Sequence, residues 1–445
     1  MPRPKKKTPD LAKRSGRENT PIAKIKGMKD VLPEEYKYWQ LVNRKAQELA
    51  KIYNFKRVDL PSLESVGLYE RALGKTSDFV TQELFTCLSH DGEKIALRPD
   101  GAISLMRAGI EHNYFNLERI FKAFWQGQVF RYDKSQGGRL RQSNQFRLDI
   151  VGEFKPSTDA QLILIGYNFF KELQVDVEIQ INSVGNQECR NNYTKIINEY
   201  FKERGRKSKL CAECRKKILK NPWSVLECDE DVCQEVMSDL PPFIDHLTED
   251  CRKRFEAVLE YLDGMGVPYS LNTKLVSVAG FDYFNHTIFE YVPVSEGNKA
   301  QALGGGGNYS AVLESLGAKT LSVCGFGIDL EKTISRIRSK NITVACDEEA
   351  DIFMAQLSEN AKMKCMLLFE ELRRAGFRVR EFFIQDSLKL QLEEAERVKA
   401  KYALILGQKE LIDETILLRD MESGVQETID VRKILHELDK RLNIS

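Results

Sequence analysis

The sequence predicts an α+β core built on an antiparallel sheet, interrupted by a Cys-rich insert and followed by a separate C-terminal α/β domain. Three observations carry this. From Val175 to Asn182, apolar Val175, Val177, Ile179 and Ile181 alternate with Asp176, Glu178, Gln180 and Asn182, the period of a strand whose sheet has one solvated face, which favours antiparallel pairing. Residues 205–262 are dense in Cys, Lys and Glu, and Asn221-Pro222 and Pro241-Pro242 break any long helix, so this stretch reads as an inserted unit dividing the core into 21–204 and 263–343. Farther on, Asp351 to Leu357, Phe377 to Phe383 and Tyr402 to Leu406 read as strands. They alternate with helices over Asn360 to Ala375, stopped by Gly376, and over Leu388 to Ala400. That βαβαβ order calls for parallel strands covered by helices, in a domain of its own over 349–445.

Taken in order, residues 1–20 carry seven Lys or Arg against Asp10 and Glu18, a basic disordered arm that either touches RNA phosphates or stays solvated. Pro33 suits a first helical turn, Glu34 and Glu35 follow, and Tyr36, Trp39, Leu41, Val42, Ala46, Leu49 and Ile52 recur at roughly helical spacing, which makes an amphipathic helix. Phe55 to Leu60 reads as a strand stopped by Pro61. In ALRPDGAISLMR, Arg98 and Asp100 bracket a proline ahead of a helix; Asp100 either caps that helix or holds a substrate ammonium. Phe130 to Gly152 reads as a hairpin, with Arg131, Lys134, Arg139 and Arg141 around Gln136-Gly137-Gly138. Guanidinium forks there suit a polyphosphate, and a solvated basic face is the alternative. In ALGGGGN, Ala302 to Asn308, four glycines allow a ligand close to the backbone, and Cys324 to Gly327 reads as a strand leading into a helix at Asp329. Neither a dinucleotide fingerprint nor the GKS or GKT ending of a P-loop is present. Asp420 to Gly424, DMESG, reads as a hairpin turn before a closing helix that runs through Leu442.

Composition excludes several classes. The 445 residues hold 67 basic and 66 acidic side chains, so no polycationic field gathers nucleic acid. With 42% hydrophobic residues the chain can bury several cores, which excludes wholesale disorder. No apolar run approaches the roughly 20 residues of a membrane span, and the N-terminus lacks an apolar signal core, so a soluble cytoplasmic protein without membrane contact is expected. Ten cysteines are then reduced thiols or metal ligands. Cys211-x-x-Cys214 with Cys228 and Cys233 gives paired thiolates suited to structural zinc, which would supply folding energy to a small insert; unligated core thiols are the other reading. His246 is the only histidine in the insert, which disfavours a catalytic metal, and none of His90, His112, His246, His286 and His436 stands in a nucleophile context.

In this order KGMKDVLPEE, LRPDG, FRYDKSQGGRLRQSNQF, AGFDYFNHTIFEYV, GGGGNYSAVLESLG, FGIDLEK, DSLKLQLEEA and YALILG resemble the histidyl-tRNA synthetases, a class II aminoacyl-tRNA synthetase family, over about residues 22–442. The resemblance implies a class II synthetase-like core, an anticodon-binding C-terminal domain, a homodimer, tRNA-His, histidine and ATP as ligands, and Mg2+ with the ATP. It implies attack of the histidine carboxylate on the α-phosphate, then acyl transfer to the terminal ribose of the tRNA. Such chemistry depends on positioning and electrostatics. Carried over residue by residue, Arg131 is the catalytic cation at the α-phosphate, and Asp133, Arg139 and Lys332 meet the nucleotide. Asp100, Ala102, Gln145, Asp149, Tyr283 and Phe284, with Arg131, line the histidine pocket.

The chain departs from the family at the chemistry. Ala279 stands where the family has an arginine on the α-phosphate, and losing such a contact costs on the order of a few kcal/mol in the transition state. Lys332 replaces a nucleotide-binding arginine, Asp100 and Asp133 replace glutamates, Ala102 a threonine and Phe284 a tyrosine, while Asn308 and Ser310 stand for Arg and Asp. Two functions follow as expectations: a histidine-tRNA ligase in which Lys274 or His286 takes over part of the lost arginine's role, or a catalytically impaired paralogue that binds histidine, nucleotide or tRNA in a regulatory role.

Overall fold

A computed structural model describes residues 22–442, apart from 76, 78, 118, 133–139, 153–154, 220, 279, 295–300, 319–320, 343 and 345–349. The basic arm of residues 1–20 lies outside the described residues. The chain divides into two compact units, Met1–Thr343 and Val344–Ser445. Among the described residues no helix is long and apolar enough to cross a membrane.

The first unit opens with α1 (Pro33–Ile52), which has Pro33 in its first turn and buries Trp39, Val42, Ala46 and Leu49. Tyr36 and Ile52, expected on that apolar face, are exposed. The sheet is made of β1 (Lys56–Arg57), β2 (Ile120–Phe130), β3 (Gln142–Gly152), β4 (Val177–Ser183), β5 (Tyr269–Leu271), β6 (Asn285–Pro293), β7 (Gly304–Asn308) and β8 (Ser322–Asp329). Their order across it is β1-β2-β3-β8-β7-β6-β4-β5. The inner pairings are antiparallel, and only β1 with β2 and β4 with β5 run parallel. In β4 the alternation holds for Val177, Ile179 and Ile181, but Asn182 is buried and donates to the Leu275 carbonyl at 2.9 Å. β1 is shorter than the strand expected over Phe55 to Leu60. Past Val58, which still donates to the Phe124 carbonyl at 2.8 Å, the Arg98 guanidinium takes the carbonyls of Leu60 and Pro61 at 2.6 and 2.7 Å and that of Gln128 at 2.8 Å, while stacking 4.6 Å over Trp125. Arg98 is therefore an architectural clamp.

One face of the sheet is an aromatic core against α3 (Pro156–Glu172), which follows α2 (Gly101–Glu111). Phe146 of β3 meets Phe169 at 5.2 Å and Phe326 of β8 at 6.1 Å. The opposite face holds the candidate site. After α4 (Gln187–Lys202) come short helices over Ala212–Lys217, Pro222–Val225 and Asp231–Met237, and then α5 (Glu249–Gly264). Although α5 falls inside the insert expected over 205–262, it packs on α3, where Arg254 reaches buried Asp159 at 2.6 Å. The Cys-rich part proper thus ends before it.

In the second unit the strands are β9 (Ile352–Gln356), β10 (Val379–Glu381), β11 (Tyr402–Leu406), β12 (Thr415–Asp420) and β13 (Gln426–Asp430), in the order β10-β9-β11-β12-β13. The first three are parallel, as the βαβαβ pattern requires, with helices Glu359–Arg374 and Leu388–Arg397 as connections. β12 and β13 add an antiparallel hairpin, whose turn is tied by Asp420 accepting from the Glu422 and Ser423 amides at 3.1 and 2.7 Å. The closing helix spans Ile434–Leu442.

Candidate active site

β3 places Gln145, Arg147 and Asp149 on one face, because alternate residues of a strand share a side. Across the ladder they pair with Asp329, Gly327 and Gly325 of β8, and beyond those stand Gly305 and Gly307 of β7. The bare backbone here is a spatial necessity. A Cβ on Gly325 would run into Asp149 Oδ1, and one on Gly327 would lie 2.5 Å from Gln145 Nε2. The glycine run read in ALGGGGN is therefore strand, and with Gly325 and Gly327 it forms a bare floor under Gln145, Arg147 and Asp149.

Asp100 enters this face from the start of α2, where it caps the helix and also bonds two side chains of β3. Its Oδ1 caps the helix by accepting from the Ala102 amide at 2.6 Å, while Oδ2 accepts from Gln145 Nε2 at 3.0 Å and from Arg147 Nη1 at 3.1 Å. Gln145 Oε1 in turn accepts from the Gly101 amide at 3.2 Å. Asp149 accepts from Arg147 Nε at 3.0 Å and Nη2 at 2.6 Å, and from the Tyr309 hydroxyl at 2.5 Å. Burial works against the Arg147 charge, but Asp100 and Asp149 outweigh it and hold the guanidinium well above its ordinary range. Burial raises the Tyr309 and Tyr283 hydroxyls far beyond theirs, keeping both neutral. Arg147 and Tyr309 were not among the expected site residues. The available signal was the spacing: Arg147 lies between Gln145 and Asp149 on the same side of a strand whose other side is Phe146 and Leu148.

Arg131 follows the end of β2 and sits with its guanidinium 4.4 Å over the Phe281 ring and 5.3 Å from Phe79, its Nε donating to the Pro99 carbonyl at 3.3 Å. Tyr283 lies against Phe281, Phe284 and Tyr309 at 5.1, 4.6 and 5.6 Å between ring centres, so the 281–284 segment forms a wall of the same cleft. Ala102 and Phe284 are buried. Asp133, Arg139 and Ala279 lie outside the described residues. Lys332, in the first turn of α6 (Leu330–Ser339), donates its ammonium to the Ala302 carbonyl at 3.1 Å. Asn308 and Ser310 form a neutral pair, the Ser310 hydroxyl donating to Asn308 Oδ1 at 2.7 Å, so the two departures from a charged pair are locally consistent.

Neither expected substitute for the missing arginine serves. Lys274 donates to Gln234 of the insert. His286 faces Cys251, with its Nδ1 3.8 Å from the sulfur, and burial followed by the Arg254 charge pushes its imidazole down from 6.5 to about 4. A ring that stays neutral in the fold but is protonated in the unfolded chain below pH 6.5 contributes stability that is complete above that value and lost as pH falls toward 4. His286→Asn, which suits the residue's φ of 53°, should flatten the acid limb of the unfolding free energy between these values, by about 3 kcal/mol at most.

The insert supports the 281–284 wall. Arg190 of α4 stacks 4.9 Å over Trp223 and donates to the carbonyls of Phe284 and Asp282 at 3.0 and 3.3 Å, and Asn221 donates to the Asp282 carboxylate at 3.2 Å. Trp223 shares one apolar cluster with Cys214, Cys233, Phe281 and Phe284. The sulfurs of Cys211, Cys214, Cys228 and Cys233 lie within 4.8 Å of one another. A zinc tetrahedron with bonds of about 2.3 Å separates its sulfurs by about 3.8 Å, so these four fit the metal. The Cys211 amide points at Cys233 Sγ at 3.2 Å and the Cys214 amide at Cys211 Sγ at 3.4 Å, donors that suit thiolate sulfur.

Comparison with known proteins agrees with this architecture. The histidyl-tRNA synthetase family profile matches residues 27–333, and that of the anticodon binding domain matches 341–441. The chain is 33% identical over 418 residues to a histidine–tRNA ligase of Dehalococcoides mccartyi, covering 94% of this chain and 99% of the relative. It is 34% identical over 418 residues to that of Caldicellulosiruptor bescii, covering 94% and 98%. The crystal structure of apo S. aureus histidyl-tRNA synthetase superposes with a TM-score of 0.78 at 27% identity, over 94% of this chain and 99% of that one. With its antiparallel class II core and its appended anticodon-binding domain, the chain belongs to the histidyl-tRNA synthetase family.

Proposed function

We propose that the chain activates histidine with ATP and transfers it to tRNA-His, with Asp100, Gln145 and Asp149 receiving the amino acid and Arg131 the α-phosphate. The observation that carries the site assignment is the convergence of Asp100 from a helix start with Gln145 and Asp149 from a strand on one face, above glycine backbone and beside Arg131. The histidine carboxylate oxygen attacks the α-phosphorus and pyrophosphate leaves; a terminal ribose hydroxyl of the tRNA then takes the acyl group and AMP leaves. Ala102, Tyr283 and Phe284 shape the wall around the side chain. Lys332 and, beyond the described residues, Asp133 and Arg139 belong to the nucleotide side of this reading. Mg2+ bound with ATP would neutralise charge on its phosphates. Glu290, in the register row of Arg147, Gly327 and Gly305, and Asp329, in that of Gln145, would offer it carboxylate oxygens. Structural zinc on the four insert cysteines, a homodimer and a cytoplasmic location complete the proposal.

Histidine-dependent exchange of pyrophosphate into ATP, with charging of tRNA-His, tests it. Turnover by the unmodified protein is the expected result, and Ala279→Arg, which returns a guanidinium to that position, should raise it. Exchange at background that Ala279→Arg restores would instead favour the regulatory paralogue.

A further inference from the structure

The cleft assigned to histidine already contains a cation of the chain's own. Arg147 is 3% exposed, and its three guanidinium nitrogens are spent on two carboxylates, Nη1 on Asp100 and Nε and Nη2 on Asp149. The Tyr309 ring lies 5.8 Å from the guanidinium carbon, and its hydroxyl takes a further position on Asp149. Gln145 occupies Asp100 from the other side. Each group read as a receiver of the ligand's ammonium or imidazole therefore has an internal partner. The two carboxylates, moreover, present one net negative charge instead of two. A buried ion triad of this kind is a poor source of stability, since desolvation offsets most of the attraction, so its presence in a ligand cleft calls for another role.

We propose that Arg147 is an internal competitor for the amino acid: histidine binds when the guanidinium withdraws from Asp100 and Asp149, and Arg147 thereby sets affinity and specificity. The proposal rests on the reading of this cleft as the histidine pocket. The guanidinium lies directly against the glycine floor, where a Cβ on Gly327 would come within 3.3 Å of Arg147 Nη1, so its withdrawal vacates volume above bare backbone. Apparent affinity is then the intrinsic affinity multiplied by the fraction of molecules with the guanidinium withdrawn. Arg147 acts on binding and not on the transfer step, so its effect falls on KM.

The test uses the full-length protein, unmodified and as Arg147→Ala and Arg147→Gln, in two assays: pyrophosphate exchange against histidine concentration, and melting temperature with and without histidine in the absence of ATP. The expected result is a KM for histidine lowered at least about tenfold in the variants, as for removal of a block that leaves a minor competent state, with kcat little changed. Arg147→Ala should also melt lower than the unmodified protein, since it leaves two buried carboxylates unpaired, and recover on adding millimolar histidine or guanidinium. Arg147→Gln still donates to one carboxylate and so secures the measurement if the alanine variant folds poorly. Folded variants with unchanged or raised KM and no ligand-dependent gain in melting temperature would overturn the proposal, leaving Arg147 a fixed wall. Failure of both variants to fold even with histidine present would overturn it too, because the ligand must be able to replace the guanidinium. If no form makes histidyl-adenylate yet Arg147→Ala is stabilised by histidine, the ligase reading fails and this one stands. If the unmodified protein turns over with a KM no higher than that of the variants, the reverse holds.

Discussion

Replacing Arg131 with alanine is expected to lower histidine-dependent pyrophosphate exchange by on the order of a hundredfold to a thousandfold, the loss typical of one donor aimed at developing transition-state charge. The fold should survive. Arg131 stacks on Phe281 and Phe79, and such stacking is worth roughly 1 kcal/mol. Those rings do more for the chemistry, since they and the Pro99 carbonyl fix the guanidinium plane before any nucleotide arrives. Burial lowers the Arg131 pKa, with Asp100 and Glu83 opposing the shift. Arg131→Lys keeps a charge but loses the planar fork and the stack, so an intermediate rate, about tenfold down, is expected. Alanine at 279 sharpens the prediction, because no second guanidinium stands at that sequence position to share the phosphate. Exchange by Arg131→Ala at the unmodified rate would remove Arg131 from the α-phosphate.

Cys211→Ser combined with Cys214→Ser should reduce bound zinc from about one ion per chain to background, since loss of two of four tetrahedral ligands abolishes a structural site. The consequence reaches the cleft. The short helices that carry these cysteines have little core of their own, and Trp223 among them supports Arg190, which holds the Phe284 and Asp282 carbonyls. Without the metal that support loosens and the wall of Phe281, Tyr283 and Phe284 moves. A misplacement of about 1 Å costs up to a hundredfold in rate, so the KM for histidine should rise and kcat fall together. Metal analysis and exchange assays on one preparation decide this. Equal zinc in both proteins would dismiss the site, and loss of zinc with unchanged kinetics would dismiss the coupling.

Much of this was legible in the residues because it is local. Periodicity located β4 and α1, the βαβαβ order located the second unit, and turn residues between apolar flanks located the hairpin that carries Gln145 and Asp149. What stayed hidden depends on partners distant in sequence. Arg147 in a basic hairpin reads like a solvated charge until Asp100 arrives from another element. Asn182 broke the expected alternation because Leu275, far along the chain, offers it a carbonyl. Arg98 and Asp100 flank the same proline, yet one became an architectural clamp and the other a pocket carboxylate. Their spacing carries no information about which carbonyls lie opposite. The insert helices over Ala212–Lys217, Pro222–Val225 and Asp231–Met237, six, four and seven residues long, left no periodicity to read, although the cysteine spacing pointed to the cluster that the fold assembles.

The floor of Gly305, Gly307, Gly325 and Gly327 constrains how this cleft can be reshaped. Because a single methyl on Gly325 already strikes Asp149, selection for a different amino acid cannot begin there, however favourable the new side chain. Change has to come through the walls, at Ala102, Tyr283 and Phe284, where volume can be exchanged between neighbours. Deep mutational scanning of this region should accordingly return a barren strip along two adjacent strands, bordered by tolerant positions only a few ångströms away.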